Sequence, residues 1–175
     1  MATNKAMLAA LFNAANPDLP HALTEKDFAY KANPEASDSG KNTKLTIVAK
    51  PDSENFQGEI ELHYDRLDPN VIGQIELTDD LSRWEKQNEL LAWVQYYIVK
   101  VKPDDSVSPL DVKITYEDQK DEHQNVTKRV VTCVTTAQNI RYLEGTMATF
   151  IITPKVVDKR VDLGTLNGEL DGFTE

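Results

Sequence analysis

The sequence predicts an α+β fold built from two tandem copies of a short helix packed on a small antiparallel β-sheet, followed by an extended C-terminal arm. Two observations predict it. Short segments recur about 84 residues apart, and in each half a helical stripe precedes strands of alternating polarity. We place the first helix-plus-sheet repeat at residues 1–78, the second at residues 79–155 and the arm at residues 156–175.

Several pairs of short segments carry the repeat. They are residues 7–12 and 90–95 at an offset of 83, residues 27–30 and 111–114 at 84, Thr43-Lys44 and Thr127-Lys128 at 84, and Gly58 and Gly145 at 87. The offset grows only across polar, turn-like stretches, as expected if loops lengthened around a fixed unit. The C-terminal stretch resembles the one that follows the first copy. Gly164 lies 91 residues after Gly73, and Asp171 lies 91 residues after Asp80.

Each copy is expected to open with a helix. Good helix formers from Ala6 to Ala15 form the first, with an apolar stripe, and Asn16-Pro17 ends it. In the second copy, Ser82 followed by Glu85 predicts a capping box. Apolar side chains then recur at helical spacing, at Trp84, Leu91, Val94 and Ile98. Lys102-Pro103 ends this second helix.

Strands are predicted at residues 27–31, 44–49, 59–64 and 71–77, and in the second copy at residues 111–116, 128–135 and 146–153. Polar stretches at residues 33–42 and 117–125 are expected to be loops. The last two strands are less amphipathic than their counterparts, which indicates cover on both faces. The other copy or another chain could provide that cover, or the strands could be central in one shared core.

Composition limits the possible functions. The chain of 175 residues, 40% of them hydrophobic, can bury one ordinary core or two small ones. The net charge of −10 opposes binding to nucleic acid or to an anionic membrane. We find no signal peptide and no stretch that approaches a membrane span. A single cysteine, Cys133, excludes an intrachain disulfide, and its apolar neighbours favour a buried thiol. These features favour synthesis and assembly in a reducing cytoplasm.

No set of residues in the sequence matches a catalytic, cofactor-binding or metal-binding motif. His21, His63 and His123 lie far apart in the sequence, whereas a metal site needs converging ligands. Residues 162–172 resemble a calcium-binding loop only loosely, because Leu166 falls where an oxygen ligand would be required. The sequence also lacks a nucleophile elbow and a phosphate-cradling glycine loop. We therefore expect no catalytic, cofactor-binding or metal residue, and no cofactor.

Three segments of the first copy carry a family resemblance. They are the entry Leu23-Thr24 with Asp27, the strand that begins Asn42-Thr43-Lys44, and the close Tyr64-Asp65-Arg66-Leu67. This pattern resembles a small repeated domain of unassigned function in virion structural proteins of large tailed bacteriophages. The resemblance covers about the first seventy residues and is blurred in the second copy. It implies a component of the phage particle, made in the cytoplasm of the host bacterium, and it supplies no active-site residues.

The leading hypothesis is a non-enzymatic structural subunit of a tailed-bacteriophage virion, in the head, neck or tail. Its expected partners are other virion proteins and copies of itself. A surface-displayed carbohydrate- or receptor-binding module is the alternative, with stacking faces from Trp84, Trp93, Tyr96 and Tyr97. The helical spacing of these aromatic residues favours core packing instead. A small enzyme with an unrecognised site is the third reading.

Overall fold

The structure, a computed structural model, describes residues 3–156. It is an α+β fold, as the sequence predicts, with two helices and two four-stranded sheets. The helices are α1 (Asn4–Ala15) and α2 (Gln87–Val101), and a short 3₁₀ helix (Leu81–Trp84) precedes α2. The first sheet contains β1 (Phe28–Tyr30), β2 (Glu35–Ala36), β3 (Thr43–Ala49) and β4 (Glu59–Tyr64). The second contains β5 (Gly73–Asp79), β6 (Val112–Lys120), β7 (Val126–Thr135) and β8 (Gly145–Pro154).

The first sheet is antiparallel and has β3 at its centre. β1 and β2 pair with one side of β3, and β4 pairs with the other side. The predicted alternation along β3 is confirmed, because Leu45 and Ile47 are buried while Lys44 and Thr46 are half-exposed. The prediction that residues 33–42 are a loop is wrong for two residues, which form the short strand β2. β2 forms inside it, because Glu35 and Ala36 reach the start of β3.

The second sheet has the order β5-β8-β7-β6. β7 and β8 are its two central strands, each paired with a neighbour on both sides. The expectation that both of their faces are covered is not met within residues 3–156, because their side chains alternate between buried and half-exposed. One face of the sheet packs on α2, and the other is partly exposed. β5 runs parallel to β8, so this sheet is mixed and not wholly antiparallel. The stretch 71–77, which the sequence places in the first repeat, thus contributes its strand to the sheet of the second half.

The start of α2 corrects the predicted capping box. Asp80 Oδ1 accepts from Ser82 N at 2.9 Å and opens the 3₁₀ helix, whereas α2 begins only at Gln87. Glu85 Oε1 lies 3.3 Å from Arg129 Nη1 instead of reaching back to an amide of the first turn. A buried guanidinium attracts a carboxylate more strongly than a neutral amide does, so Glu85 is diverted from the cap. For α1, Thr3 Oγ1 caps the helix by accepting from Ala6 N at 3.0 Å.

The hairpin of β6 and β7 extends further than the sequence predicts. Residues 117–125 were expected to be a loop, but β6 runs to Lys120 and β7 begins at Val126. Arg129 holds the two strands together, since its Nε and Nη2 donate to both carboxylate oxygens of Asp118, at 2.7 and 2.9 Å. The hairpin partly buries both side chains, and this bidentate ion pair gives each charge a hydrogen-bonding partner in place of water.

The core consists of two apolar clusters, one in each half. The larger cluster lies between α2 and the second sheet, around Val94, Phe150 and Trp84. The smaller cluster lies between α1 and the first sheet and includes Ile140 from the second half. Because Ile140 belongs to the smaller cluster, the two halves pack against each other.

Two of the sequence-based expectations fall on residues outside the described part of the chain. Apart from Val156, the expected arm at residues 156–175 lies there, and so does the calcium-like stretch 162–172. Neither helix in the described residues has the length and apolar character needed to cross a membrane.

Candidate functional site

The side chains considered for metal or nucleophilic chemistry are dispersed. His63 Nδ1 lies 2.8 Å from Ser37 Oγ, His123 lies at the tip of the β6–β7 hairpin, and His21 is exposed in a loop. Within residues 3–156, no three metal-binding side chains form a cluster. Cys133 is fully buried, and burial raises the pKa of its thiol to about 12. The thiol is therefore protonated at neutral pH and packs as a small apolar group.

A groove of about 570 Å³ lies between β1 and residues 106–111. Three charged residues line it, but each is already engaged. Lys31 Nζ forms an ion pair with Glu59 Oε2 at 2.7 Å. Lys5 Nζ donates to the Phe28 carbonyl and lies 4.6 Å from the centroid of the Phe28 ring. Asp111 Oδ2 accepts from Ser108 N at 2.9 Å. The groove thus presents no pair of reactive groups arranged for acid–base chemistry.

The four aromatic residues considered as a stacking platform do not form one. Trp84 is only 1% exposed, stacks on Trp93 at 5.1 Å, and donates from Nε1 to Asp79 Oδ2 at 3.0 Å. Trp93 and Tyr97 are half-buried. Tyr96 is 48% exposed and lies 4.2 Å from Lys100 Nζ. Trp84 therefore belongs to the core, and Tyr96 alone presents a largely open ring.

The outer edge of β4 is an open sheet edge. Ala49 N donates to Gly58 O at 2.9 Å, so even-numbered residues of this strand bond to β3. Odd-numbered residues, Glu59, Glu61 and His63, consequently direct their backbone N–H and C=O groups away from the sheet. No strand of the described chain lies beyond them. The edge can accept another strand through main-chain hydrogen bonds.

An apolar groove of about 410 Å³ lies between α1, the end of β4 at Tyr64 and residues 140–141 of the second half. We call it the α1–β4 groove; its apolar lining includes Met7, Leu11, Tyr64 and Leu67. Leu11 of α1 is 61% exposed. Ile60, at the opposite end of β4, is 47% exposed. An open sheet edge with apolar side chains beside it is typical of a site for protein contact.

Within the described residues, the outer edge of β6 is also open. Asp111 O accepts from Thr136 N at 2.9 Å, which places the backbone groups of odd-numbered residues toward β7. Those of Val112, Ile114 and Tyr116 face outward, and the Ile114 carbonyl accepts from Gln87 Nε2 at 3.1 Å. Charged side chains, a usual protection against unwanted strand pairing, lie along both edge strands, β4 and β6.

The Tyr64-Asp65-Arg66-Leu67 segment forms the joint between the two halves. Arg66 is buried, and its Nε donates to Thr43 Oγ1 at 2.9 Å while Nη1 donates to Asn139 O at 3.0 Å. Leu67 forms a parallel bridge with Tyr142. Tyr64 donates its hydroxyl to Ile140 O at 2.8 Å, and burial raises its pKa to about 12. These residues hold the structure together and do not form a reactive site.

Among the comparisons with known proteins, only the one with protein families gives a match. Neither the curated proteins nor the solved structures contain a match to this chain. Residues 1–138 match DUF7941, a family of unknown function, and the chain belongs to that family.

Proposed function

We propose that this chain is a non-enzymatic structural subunit of a tailed-bacteriophage virion, which assembles with copies of itself or with a major virion protein. The observation that carries the assembly role is the open edge of β4, with the α1–β4 groove at its Tyr64 end. Such an edge binds another chain through main-chain hydrogen bonds, and apolar pockets beside it add affinity. The assignment to a phage particle rests on the sequence resemblance of the first seventy residues.

The proposal includes a tandem duplication, and the order of elements supports it. Each half has a helix followed by an antiparallel meander, β1-β3-β4 in the first and β6-β7-β8 in the second. Asp27 Oδ2 accepts from Thr24 N at 2.8 Å, and Asp111 Oδ2 accepts from Ser108 N at 2.9 Å, which gives an offset of 84. One turn therefore recurs with the same hydrogen bond in both halves.

The central strands support the duplication with a different offset. Leu45 and Ile47 of β3 are buried, as are Val131 and Cys133 of β7, so the equivalent positions differ by 86. The buried positions therefore give an offset two residues longer than the sequence match. That match, between Thr43-Lys44 and Thr127-Lys128, has an offset of 84. A loop that lengthened before β7 accounts for the difference.

The experiment that tests this function is the mass of the purified full-length protein, measured by light scattering across a concentration series. We expect a discrete ring or an average mass that rises with concentration. Tryptophan fluorescence should not respond to added oligosaccharides, because Trp84 is buried and Trp93 half-buried. A strict monomer whose fluorescence is quenched by a sugar would overturn the proposal and favour the binding module.

A further inference from the structure

We infer that the outer edge of β6 pairs in antiparallel fashion with the same edge of a second copy, across a two-fold axis at Thr115. The inference rests on the proposed self-assembly and deepens it, because it names the partner as a second copy and gives the edge and the register. The two four-stranded sheets then form one continuous sheet of eight strands. The β4 edges lie outside this contact and stay available for further assembly.

The backbone of β6 presents the hydrogen-bonding groups that this pairing needs. β6 runs for nine residues, and no strand in the described part of the chain lies beyond it. Its even-numbered residues from Val112 to Asp118 direct their N–H and C=O groups outward, because the odd-numbered residues bond to β7. Among the described residues, Gln87 Nε2 donates to one of these groups, the Ile114 carbonyl, at 3.1 Å. A backbone N–H of the second copy takes the place of this flexible side chain.

Two side chains of opposite charge lie symmetrically about Thr115 on the exposed face of β6. Lys113 and Glu117 are both exposed, and neither forms an ion pair within residues 3–156. They are four residues apart on an extended strand, about 13 Å, so they do not pair with each other in one copy. With Thr115 opposite Thr115, Lys113 of each copy faces Glu117 of the other. The edge is therefore complementary to itself, with two ion pairs across the axis.

The same charges select this register over its neighbours. The outward backbone groups must face each other, so the axis moves from Thr115 in steps of one residue. With the axis one residue earlier, Glu117 faces Asp111 of the other copy, and like charges oppose each other. With the axis one residue later, Lys113 faces Gln119, which carries no charge. The axis at Thr115 is thus the register that pairs opposite charges.

The opposite face of the strand adds an apolar contact. In the register centred on Thr115, Ile114 of each copy faces Tyr116 of the other. Tyr116 is 40% exposed, and the Arg129 guanidinium lies 4.2 Å from the centroid of its ring. A cross-strand pair of an aromatic and a β-branched side chain stabilises a sheet. The second copy therefore covers part of a tyrosine ring that a single chain leaves in contact with water.

Reciprocal charge reversal tests the inference. Lys113→Glu and Glu117→Lys each place like charges opposite each other, so each variant alone should associate at least about tenfold more weakly than the unsubstituted protein. An equimolar mixture should restore association to within about twofold, because every Glu of one variant then faces a Lys of the other. Lys128→Glu, on β7, is the matched control for net charge and should change association less than about twofold.

Sedimentation equilibrium of these samples measures the association, and far-UV circular dichroism checks that the fold is unchanged. If the two single variants associate as the unsubstituted protein does, the inference fails and the proposed function stands. If both are weakened but their mixture does not recover, the inference also fails. If the unsubstituted protein is a monomer at every concentration, the proposed function fails and the inference fails with it.

A disulfide across the axis gives an independent test. In this register the Cα atoms of the two Thr115 residues lie about 4.5 Å apart, within the range of a disulfide. We expect mild oxidation to link Thr115→Cys chains into dimers, while native Cys133 stays buried. Gln119→Cys, on the same face of β6 but far from the axis, is the matched control and should remain a single chain. Equal cross-linking of the two variants, or cross-linking of neither, would overturn the inference.

Discussion

The side chain of Asn13 clamps the backbone of Leu23: its Oδ1 accepts from Leu23 N at 2.8 Å, and its Nδ2 donates to Leu23 O at 2.9 Å. Gln95 makes a similar clamp in the second half, where it accepts from Val107 N at 2.9 Å and donates to Asp105 O at 3.3 Å. Each clamp fixes the connection between a helix and the first strand of the sheet that follows it.

Loss of either clamp should destabilise the fold by a similar amount. Asn13→Ala and Gln95→Ala each leave a backbone donor and acceptor without partners, which costs about 1–3 kcal/mol in the free energy of unfolding. Asn16→Ala is the control, because its side chain bonds at an exposed helix end, and it should cost less than about 0.5 kcal/mol. Urea denaturation measures all three. If the control costs as much as the clamp variants, the clamps have no special role.

Arg66 should be the most sensitive residue of the joint. Arg66→Ala removes the bonds to Thr43 and Asn139 and leaves a buried carbonyl without a partner. We expect a loss of about 3 kcal/mol in the free energy of unfolding. Arg83→Ala, at an exposed ion pair with Asp79, should cost less than about 1 kcal/mol. Equal losses in the two variants would show that the joint contributes no more than a surface contact.

Asp118 should make stability depend on pH in the acid range. The hydrogen bonds from Arg129 hold the pKa of its carboxyl below the usual value. The stabilisation is complete above the pKa of the unfolded state, about 3.9, and is lost as the pH falls through the lower pKa of the folded state. Asp118→Asn should therefore flatten the fall in stability below about pH 4. Parallel acid titrations of this variant and the unsubstituted protein measure the difference, and equal falls in stability would contradict the prediction.

The thiol of Cys133 should be unreactive in the folded protein. The thiol is fully buried, and its raised pKa keeps it protonated. Because the thiolate is the form that attacks a disulfide reagent, a water-soluble reagent should not be attacked. We expect less than about a tenth of a thiol per chain to react in buffer and one per chain in denaturant. Rapid reaction in buffer would mean that the second sheet opens readily.

Local patterns predicted much of the fold. The alternation at Leu45 and Ile47 identifies β3, because a strand half-buried on one face must alternate. The proline after Asn16 correctly ends α1, since proline cannot continue the helical ladder. Both signals depend on residues close together in the sequence.

Long-range pairings were not predictable in the same way. β5 reaches β8 across more than seventy residues, and no local pattern shows whether a strand will be paired on one side or on both. The capping box at Ser82 failed because Glu85 contacts Arg129, which lies 44 residues later. The open edge of β4 likewise depends on which strands lie beyond it, so only the folded arrangement reveals this candidate site.

The most direct measurement of assembly through β4 is hydrogen exchange of its outward amides, those of Glu59, Glu61 and His63. We expect these amides to exchange slowly in the full-length protein at assembling concentration. They should exchange rapidly when the protein is dilute or is truncated after Val156, while the inward amides of Ile60 and Leu62 stay protected throughout. Equally rapid exchange of the outward amides in all samples would contradict assembly through this edge.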